Sequence, residues 1–296
     1  MFDRIMGNQL LEKGRISREV LARVYRTQEN RSARLGVIAV AERLITMAQA
    51  EEINAIQAVE DKRFGDIAIE KRYLTPQQVE RLLRLQTNRF MSFSQALVDS
   101  GAISLGTLEH EVAEYQNKRG LTASDMALLK SCDIELCAPI FMNTQDPVVR
   151  RLGLIGIRNI YRLADHHITV DMAEKTVNLK EETAGYQRLT GQEHALVAIV
   201  GKSEDIRALA IAYTNEDLIE TKEDALDAVC ELINCVNGIY ATERSVENVK
   251  VEIEPPEFKT LYCNLSAKEL MVLPIRLSSG HEIKLVITSD PDAIAN

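Results

Sequence analysis

The sequence contains no tryptophan, and aromatic residues fill only 5% of its 296 positions. Surfaces that bind single-stranded nucleic acid depend on stacked aromatic platforms, so that class of function is disfavoured. A cationic excess is missing too: 44 acidic residues face 35 lysines and arginines, for a net charge of −9. Binding to a phosphate backbone needs the opposite balance. No apolar run approaches the roughly 20 residues that span a bilayer. The opening Met1-Phe2-Asp3-Arg4 introduces an acid at once and runs on into a polar, helical pattern, unlike a secretory signal. The five cysteines (Cys132, Cys137, Cys230, Cys235 and Cys263) are odd in number, and the two Cys-x4-Cys pairs lack zinc-finger spacing. The adjacent His166 and His167 suit neither a helical nor a strand metal site. A cytoplasmic protein with structural thiols, no metal site and no cofactor of its own is expected.

What is present is ordinary globular material, 46% hydrophobic and 27% charged, in a chain long enough for two domains. Its organisation is legible in an internal repeat. Stepping forward by 29 positions aligns Gly7, Gly36, Gly65 and Ser94, then Ile16, Ile45, Leu74 and Ile103, then Ser17, Thr46, Thr75 and Ser104, and finally Gln28, Gln57, Gln86 and Tyr115. Fixed-period self-similarity marks a stacked-repeat architecture, because one unit cannot bury its apolar face alone. Each unit reads as a helical hairpin. A first short helix carries apolar pairs such as Leu10-Leu11, and Gly14 and Gly101 help the turn in the outer copies. A Ser or Thr then caps a second helix with apolar residues three and four apart, as in Val79, Leu82 and Leu83. Residues 1–116 are therefore expected to be an all-α array of four hairpins, and polar residues 117–130 a linker.

The central copies, Arg34-Leu35-Gly36 closing on Gln57 and Arg63-Phe64-Gly65 closing on Gln86, resemble the N-terminal domain of type II secretion and type IV pilus ATPases. That module binds cyclic di-GMP through tandem Arg-Leu-Gly units that each close on a Gln. The resemblance implies a ligand site at Arg34, Leu35, Gly36, Gln57, Arg63, Phe64, Gly65 and Gln86, with Arg meeting phosphate or a guanine edge and Gly admitting close backbone approach. The chain departs from the family at the tenth position of the unit, which is Arg43 and Arg72 where the family has Gly, and the outer copies have Ile5 and Ser92 in place of Arg. The structural alternative is that Gly and Gln serve only the turn and the helix end.

Beyond the linker, residues 131–296 read as an α+β domain with two long helices on a mostly antiparallel sheet. A strand is predicted around Ile134–Phe141 and a long helix from the Asp146 cap to about His166. Strands are predicted at Ile168–Met172 and Ala195–Val200, with helices over Glu204–Tyr213 and Lys222–Thr242. Four strands close the chain: Val249–Ile253, Thr260–Leu265, Leu270–Leu277 and Ile283–Ile287. On the last helix, 100° spacing puts Asp227, Glu231, Asn234 and Gly238 in one stripe, opposite Val229, Leu232, Ile233, Val236 and Tyr240. Asn and Gly within a helix cost roughly 0.5–1 kcal/mol each, so something besides helix stability retains them.

The pattern Asp227-x3-Glu231-x2-Asn234, with Pro255-Pro256 some twenty residues on, resembles the signature of the CheC, CheX and FliY chemotaxis phosphatases. One such motif is present, as in CheX; the first long helix keeps Asn159 but has Gly156 where a second acid would stand. The resemblance implies dephosphorylation of a phosphorylated CheY-like receiver. Asn234 would orient the attacking water, Glu231 would pair with the receiver's lysine, and Asp227 and Gly238 would support docking. The Mg²⁺ would belong to the receiver, and a homodimer through a sheet edge is implied as well. A non-catalytic scaffold that binds a receiver, and a cyclic di-GMP effector, remain as alternatives.

Overall fold

The computed structural model describes residues 1–28, 34–57, 62–85, 88–215 and 219–294, in two compact units, Phe2–Asp133 and Ile134–Asn296. The described part of the first unit is helical: α1 (Phe2–Glu12), α2 (Arg18–Gln28), α3 (Leu35–Ala41), α4 (Met47–Gln57), α5 (Phe64–Glu70), α6 (Pro76–Arg84), α7 (Arg89–Asp99), α8 (Leu105–Arg119) and α9 (Ala123–Ser131). Each even-numbered helix from α2 to α8 starts behind a hydroxyl that accepts a free backbone N–H of the first turn. Val20, Gln49, Gln78 and Thr107 donate in this way to Ser17, Thr46, Thr75 and Ser104, at 3.1–3.3 Å. Gln49 and Gln78 return the bond to the Thr backbone, which completes a capping box. The residue before each cap, Ile16, Ile45, Leu74 or Ile103, is buried. Two positions earlier the chain is left-handed in every copy, with φ of 64° at Gly14, 56° at Arg43, 59° at Arg72 and 68° at Gly101.

The copies are not arranged as a simple stack in which each meets only its sequence neighbours. α2 lies on α7, and α1 on both α7 and α8, which brings the first copy against the fourth; α3 and α4 meet α5, and α3 also meets α6. Aromatic rings fill the first contact, with Phe2 4.9 Å from Phe90 and 5.6 Å from Tyr115, and Tyr25 stacked on Phe93 at 5.9 Å. Glu111 on α8, its side chain fully buried, accepts from Gln9 at 3.1 Å, Lys13 at 2.7 Å and Arg15 at 3.2 Å. Residues 117–130 are also not a linker. α8 ends on a left-handed Gly120, φ 63°, and Thr122 caps α9 in a box with Asp125. The polar residues that suggested a linker are helix caps and helix surface.

The second unit opens on a short helix, α10 (Ile134–Cys137), and a 3-10 turn (Ala138–Phe141) where a strand was predicted. The buried residues, Ile134, Cys137, Ala138 and Phe141, recur at helical spacing, and Pro139 has no N–H to give a ladder. Then come α11 (Pro147–Asn159), extended by a π-helical turn (Ile160–Ala164), α12 (Ser203–Thr214) and α13 (Lys222–Val246). The strands are β1 (Thr169–Val170), β2 (Glu174–Glu181), β3 (Thr183–Gly191), β4 (Ala195–Gly201), β5 (Val251–Ile253), β6 (Glu257–Lys259), β7 (Cys263–Arg276) and β8 (Glu282–Thr288). They form one antiparallel sheet in the order β1-β7-β8-β4-β3-β5, with β2 also on β7 and β6 also on β3. β2 and β3, which pair with other strands and not with each other, were not foreseen; β2 is largely exposed and shows no apolar alternation. α11, α12 and α13 cover one face, and α13 touches both other helices. On the opposite face Ala184, Tyr186, Leu196 and Ala198 pack with Cys263 and Leu265, from the part of β7 that runs past its pairing with β8. β4 is therefore buried along its whole length.

Candidate functional site

The polar stripe of α13 rests on a firmly started helix. Thr221 caps it in a reciprocal box with Asp224, and Arg244 near its far end pairs with Glu193 at 2.8 Å. Val229, Leu232, Ile233, Val236 and Tyr240 are buried, at most 1% exposed. Their burial turns the other side of the helix outward: Asp227, Glu231, Asn234 and Cys235 are exposed, and Gly238 is half-buried. Glu231 and Asn234 stand one turn apart, at the i, i+3 spacing that makes side chains neighbours. Tyr213 of α12 adjoins this turn, its hydroxyl 3.8 Å from Cys235 Sγ. Burial, the Cys235 contact and the Glu231 charge push the phenol up to about 12, so it stays protonated at neutral pH.

Beneath Asn234 lies a residue that the sequence did not single out. β3 presents Gln187 to α13, and its side chain is almost fully buried, 1% exposed. Gln187 Nε2 donates to Asn234 Oδ1 at 2.9 Å and to the Glu254 carbonyl at 2.8 Å. Gln187 Oε1 accepts from Asn237 Nδ2 at 2.9 Å, and Asn237 is itself fully buried. The Glu254 carbonyl is free to accept because pairing with β3 breaks there. β5 pairs as far as Ile253 on Leu189, β6 resumes at Glu257 on Tyr186, and Pro255-Pro256 fill the gap with no N–H to offer. The only signal in the sequence was a lone amide within an otherwise buried strand.

α11 offers no equivalent site. Asn159 is buried and spends its amide on the Ile155 carbonyl at 2.8 Å, within its own helix. A Cβ at Gly156 would stand 2.5 Å from Leu285 Cδ2, so that position is packed against the sheet.

In the first unit, Arg34, Leu35, Gly36, Gln57, Arg63, Phe64 and Gly65 all line one cavity of about 620 Å³, within the size range of small-molecule pockets. Gln86 lies outside the described residues. Arg34 and Arg63 are exposed and sit directly before α3 and α5, while Leu35 and Phe64 are buried. Three acids, Glu51, Asp66 and Asp99, line the same space, and Arg34 lies 4.0 Å from Asp99. The glycines have a packing reason of their own. A Cβ at Gly36 would come within 2.9 Å of the Phe64 ring, and one at Gly65 within 2.8 Å of Val79. Gln57 donates to the Lys62 carbonyl at 3.1 Å.

Among the described residues, no group of three or more His, Cys, Asp or Glu side chains is disposed to hold a metal ion, and no helix is long and apolar enough to cross a membrane. No family model matches the sequence, and no curated protein matches it significantly. Solved structures similar to it include a chemotaxis protein CheX from Desulfovibrio desulfuricans, 15% identical over 48% of this chain and 97% of that one, with a TM-score of 0.40. A CheC-like superfamily protein from Shewanella sp. PV-4 is 16% identical over 49% and 97%, TM-score 0.41. A chain of the CheX–CheY–BeF3–Mg complex from Borrelia burgdorferi is 16% identical over 50% and 98%, TM-score 0.38.

Proposed function

We propose that this chain speeds the loss of phosphate from a phosphorylated receiver domain, with the outer face of α13 as the docking and reacting surface. The observation that carries the reading is the joint exposure of Glu231 and Asn234 on one turn of a helix whose other side is fully packed. Those two residues, with Asp227, make up the pattern that resembles the CheC, CheX and FliY signature. An aspartyl phosphate is already a labile acyl phosphate. Water attacks phosphorus, the bond from phosphorus to the carboxyl oxygen breaks, and inorganic phosphate and the free Asp carboxylate are released. Little remains for the catalyst beyond placing the water in line and fixing the partner. The Asn234 amide would place the water, the Glu231 carboxylate would pair with a receiver lysine, and Asp227 would support docking beside the small Gly238. The divalent ion would come with the receiver as part of the substrate. Phosphate release from a phosphorylated CheY-like receiver, with and without the full chain, tests this. Asn234→Ala should lower the rate on the order of 100-fold, and Glu231→Ala should mainly raise KM. Unchanged decay of the receiver, or an Asn234→Ala rate equal to wild type, would overturn the reading. Binding without acceleration would leave a scaffold.

A second reading concerns the first unit as a cyclic di-GMP effector that supplies regulatory input. It is favoured by the cavity that gathers the seven described residues of the Arg-apolar-Gly motifs and Gln57. Calorimetry of the full chain against cyclic di-GMP should give heat that disappears in the Arg34→Ala, Arg63→Ala double variant. Absence of heat with about micromolar protein would remove the ligand, and the unit would be read as a protein-interaction module.

A further inference from the structure

We propose that Gln187 is a positioning residue that sets which end of the Asn234 amide faces the docked partner; the kinetic part of this rests on the phosphatase reading. The orientation follows from hydrogen-bond bookkeeping. The Glu254 carbonyl can only accept, so the Gln187 atom 2.8 Å from it is the amide nitrogen. The same nitrogen gives its second hydrogen to Asn234 at 2.9 Å, so the Asn234 atom that meets it is the oxygen. At the other end Gln187 Oε1 needs a donor and finds Asn237 Nδ2 at 2.9 Å. A backbone carbonyl at the Pro255-Pro256 break thus fixes the direction of every amide in the relay. The end of Asn234 left over is Nδ2, and no acceptor among the described residues takes its hydrogens. Asn234 therefore presents donors, not an acceptor, on the exposed face of α13.

The relay does not pay for itself as packing. Asn237 Oδ1 is buried without a partner, a cost that apolar side chains under the helix would avoid. What the buried amides achieve is direction. An N–H aimed at a water holds one lone pair of its oxygen and leaves the other for phosphorus; it can equally meet a phosphoryl oxygen as charge develops there. An outward Asn234 carbonyl would accept a hydrogen from the water but would meet a phosphoryl oxygen only in repulsion, since both can only accept.

The test uses the full-length, ¹⁵N-labelled chain and two variants. Gln187→Leu removes both donors. Gln187→Glu keeps the volume but carries at most one hydrogen, which cannot serve both the Glu254 carbonyl and Asn234, so the relay that fixes the Asn234 amide is broken. The first readout is the Asn234 side-chain NH₂ resonance, assigned by its loss in Asn234→Asp; it should shift in both variants. The second is receiver dephosphorylation: kcat should fall about 10- to 100-fold while KM stays within about two-fold. Asn234→Asp, which can still accept from Gln187 but has no N–H, should be as slow as Asn234→Ala. Unmoved resonances in a folded variant overturn the relay, and an unchanged kcat overturns its role in positioning. If Gln187→Leu does not fold, the volume-matched Gln187→Glu carries both measurements. If the wild-type chain accelerates nothing, the phosphatase reading falls and the resonances alone decide the relay.

Discussion

Gly238 sits on α13 with no heavy atom within 4 Å of where a Cβ would stand. A glycine inside a helix costs about 1 kcal/mol against alanine, and here no packing contact within the chain offsets that loss. Gly238→Ala should therefore stabilise the protein by about 0.5–1 kcal/mol, read as a higher urea midpoint for the second unit. A lower midpoint would mean that the glycine serves the fold itself. One residue earlier the situation is reversed, because Asn237 is fully buried and tied to Gln187. Helical spacing alone separated Asp227, Glu231 and Asn234 from the apolar face, and those three are exposed. It could not reveal Gln187 or the Glu254 carbonyl, because their part depends on β3 passing beneath α13, a contact between residues some fifty positions apart.

Among the elements, those that carry their own punctuation were legible. α6 and α8 begin behind the Ser or Thr read as their caps, α11 begins behind its Asp146 cap, and α13 begins within the predicted span. Strands that bury a continuous apolar run, β4 and β8, were legible as well. What failed were elements whose burial comes from distant partners. β3 is buried from Thr183 to Gln187, but Ala184, Gly185 and Gln187 interrupt its strand pattern, and β2 stays largely exposed on its partner β7. Polar caps were mistaken for a linker at α9. The tenth position of the repeat gains a physical meaning from the backbone. It is left-handed in all four copies, so a glycine there serves the turn, and Arg43 and Arg72 accept a strain of roughly 1–2 kcal/mol.

At the scale of the whole molecule each unit has its own means of cohesion. The sheet of the second is buried on both faces along β4, whereas the first depends on charge as well as apolar packing. Burial alone would raise the pKa of Glu111, but bonds from Lys13, Gln9 and Arg15 outweigh it and hold the carboxyl below the usual glutamate range. A folded-state value below the unfolded one adds stability above the ordinary glutamate pKa, and that stability is lost as pH falls through the depressed value. Glu111→Gln should thus destabilise the first unit by about 1–3 kcal/mol at pH 7. The gap between the urea midpoints of variant and wild type should close as the solution is acidified below the glutamate range. A gap that does not change with pH would show that the Glu111 charge contributes nothing.

The contact between α2 and α7 also bears on how such a chain can grow. In an open stack, duplication of one unit simply lengthens the array, since every new copy finds the same neighbours as the old ones. Here the first copy lies against the fourth, and the second meets both the third, through α5 and α6, and the fourth, through α7 and α8. A copy inserted between the first and the fourth would have to leave α2 on α7 and Arg15 beside Glu111, or lose those contacts. The closure of the first copy on the fourth, rather than the number of copies between them, is what a duplication would have to preserve.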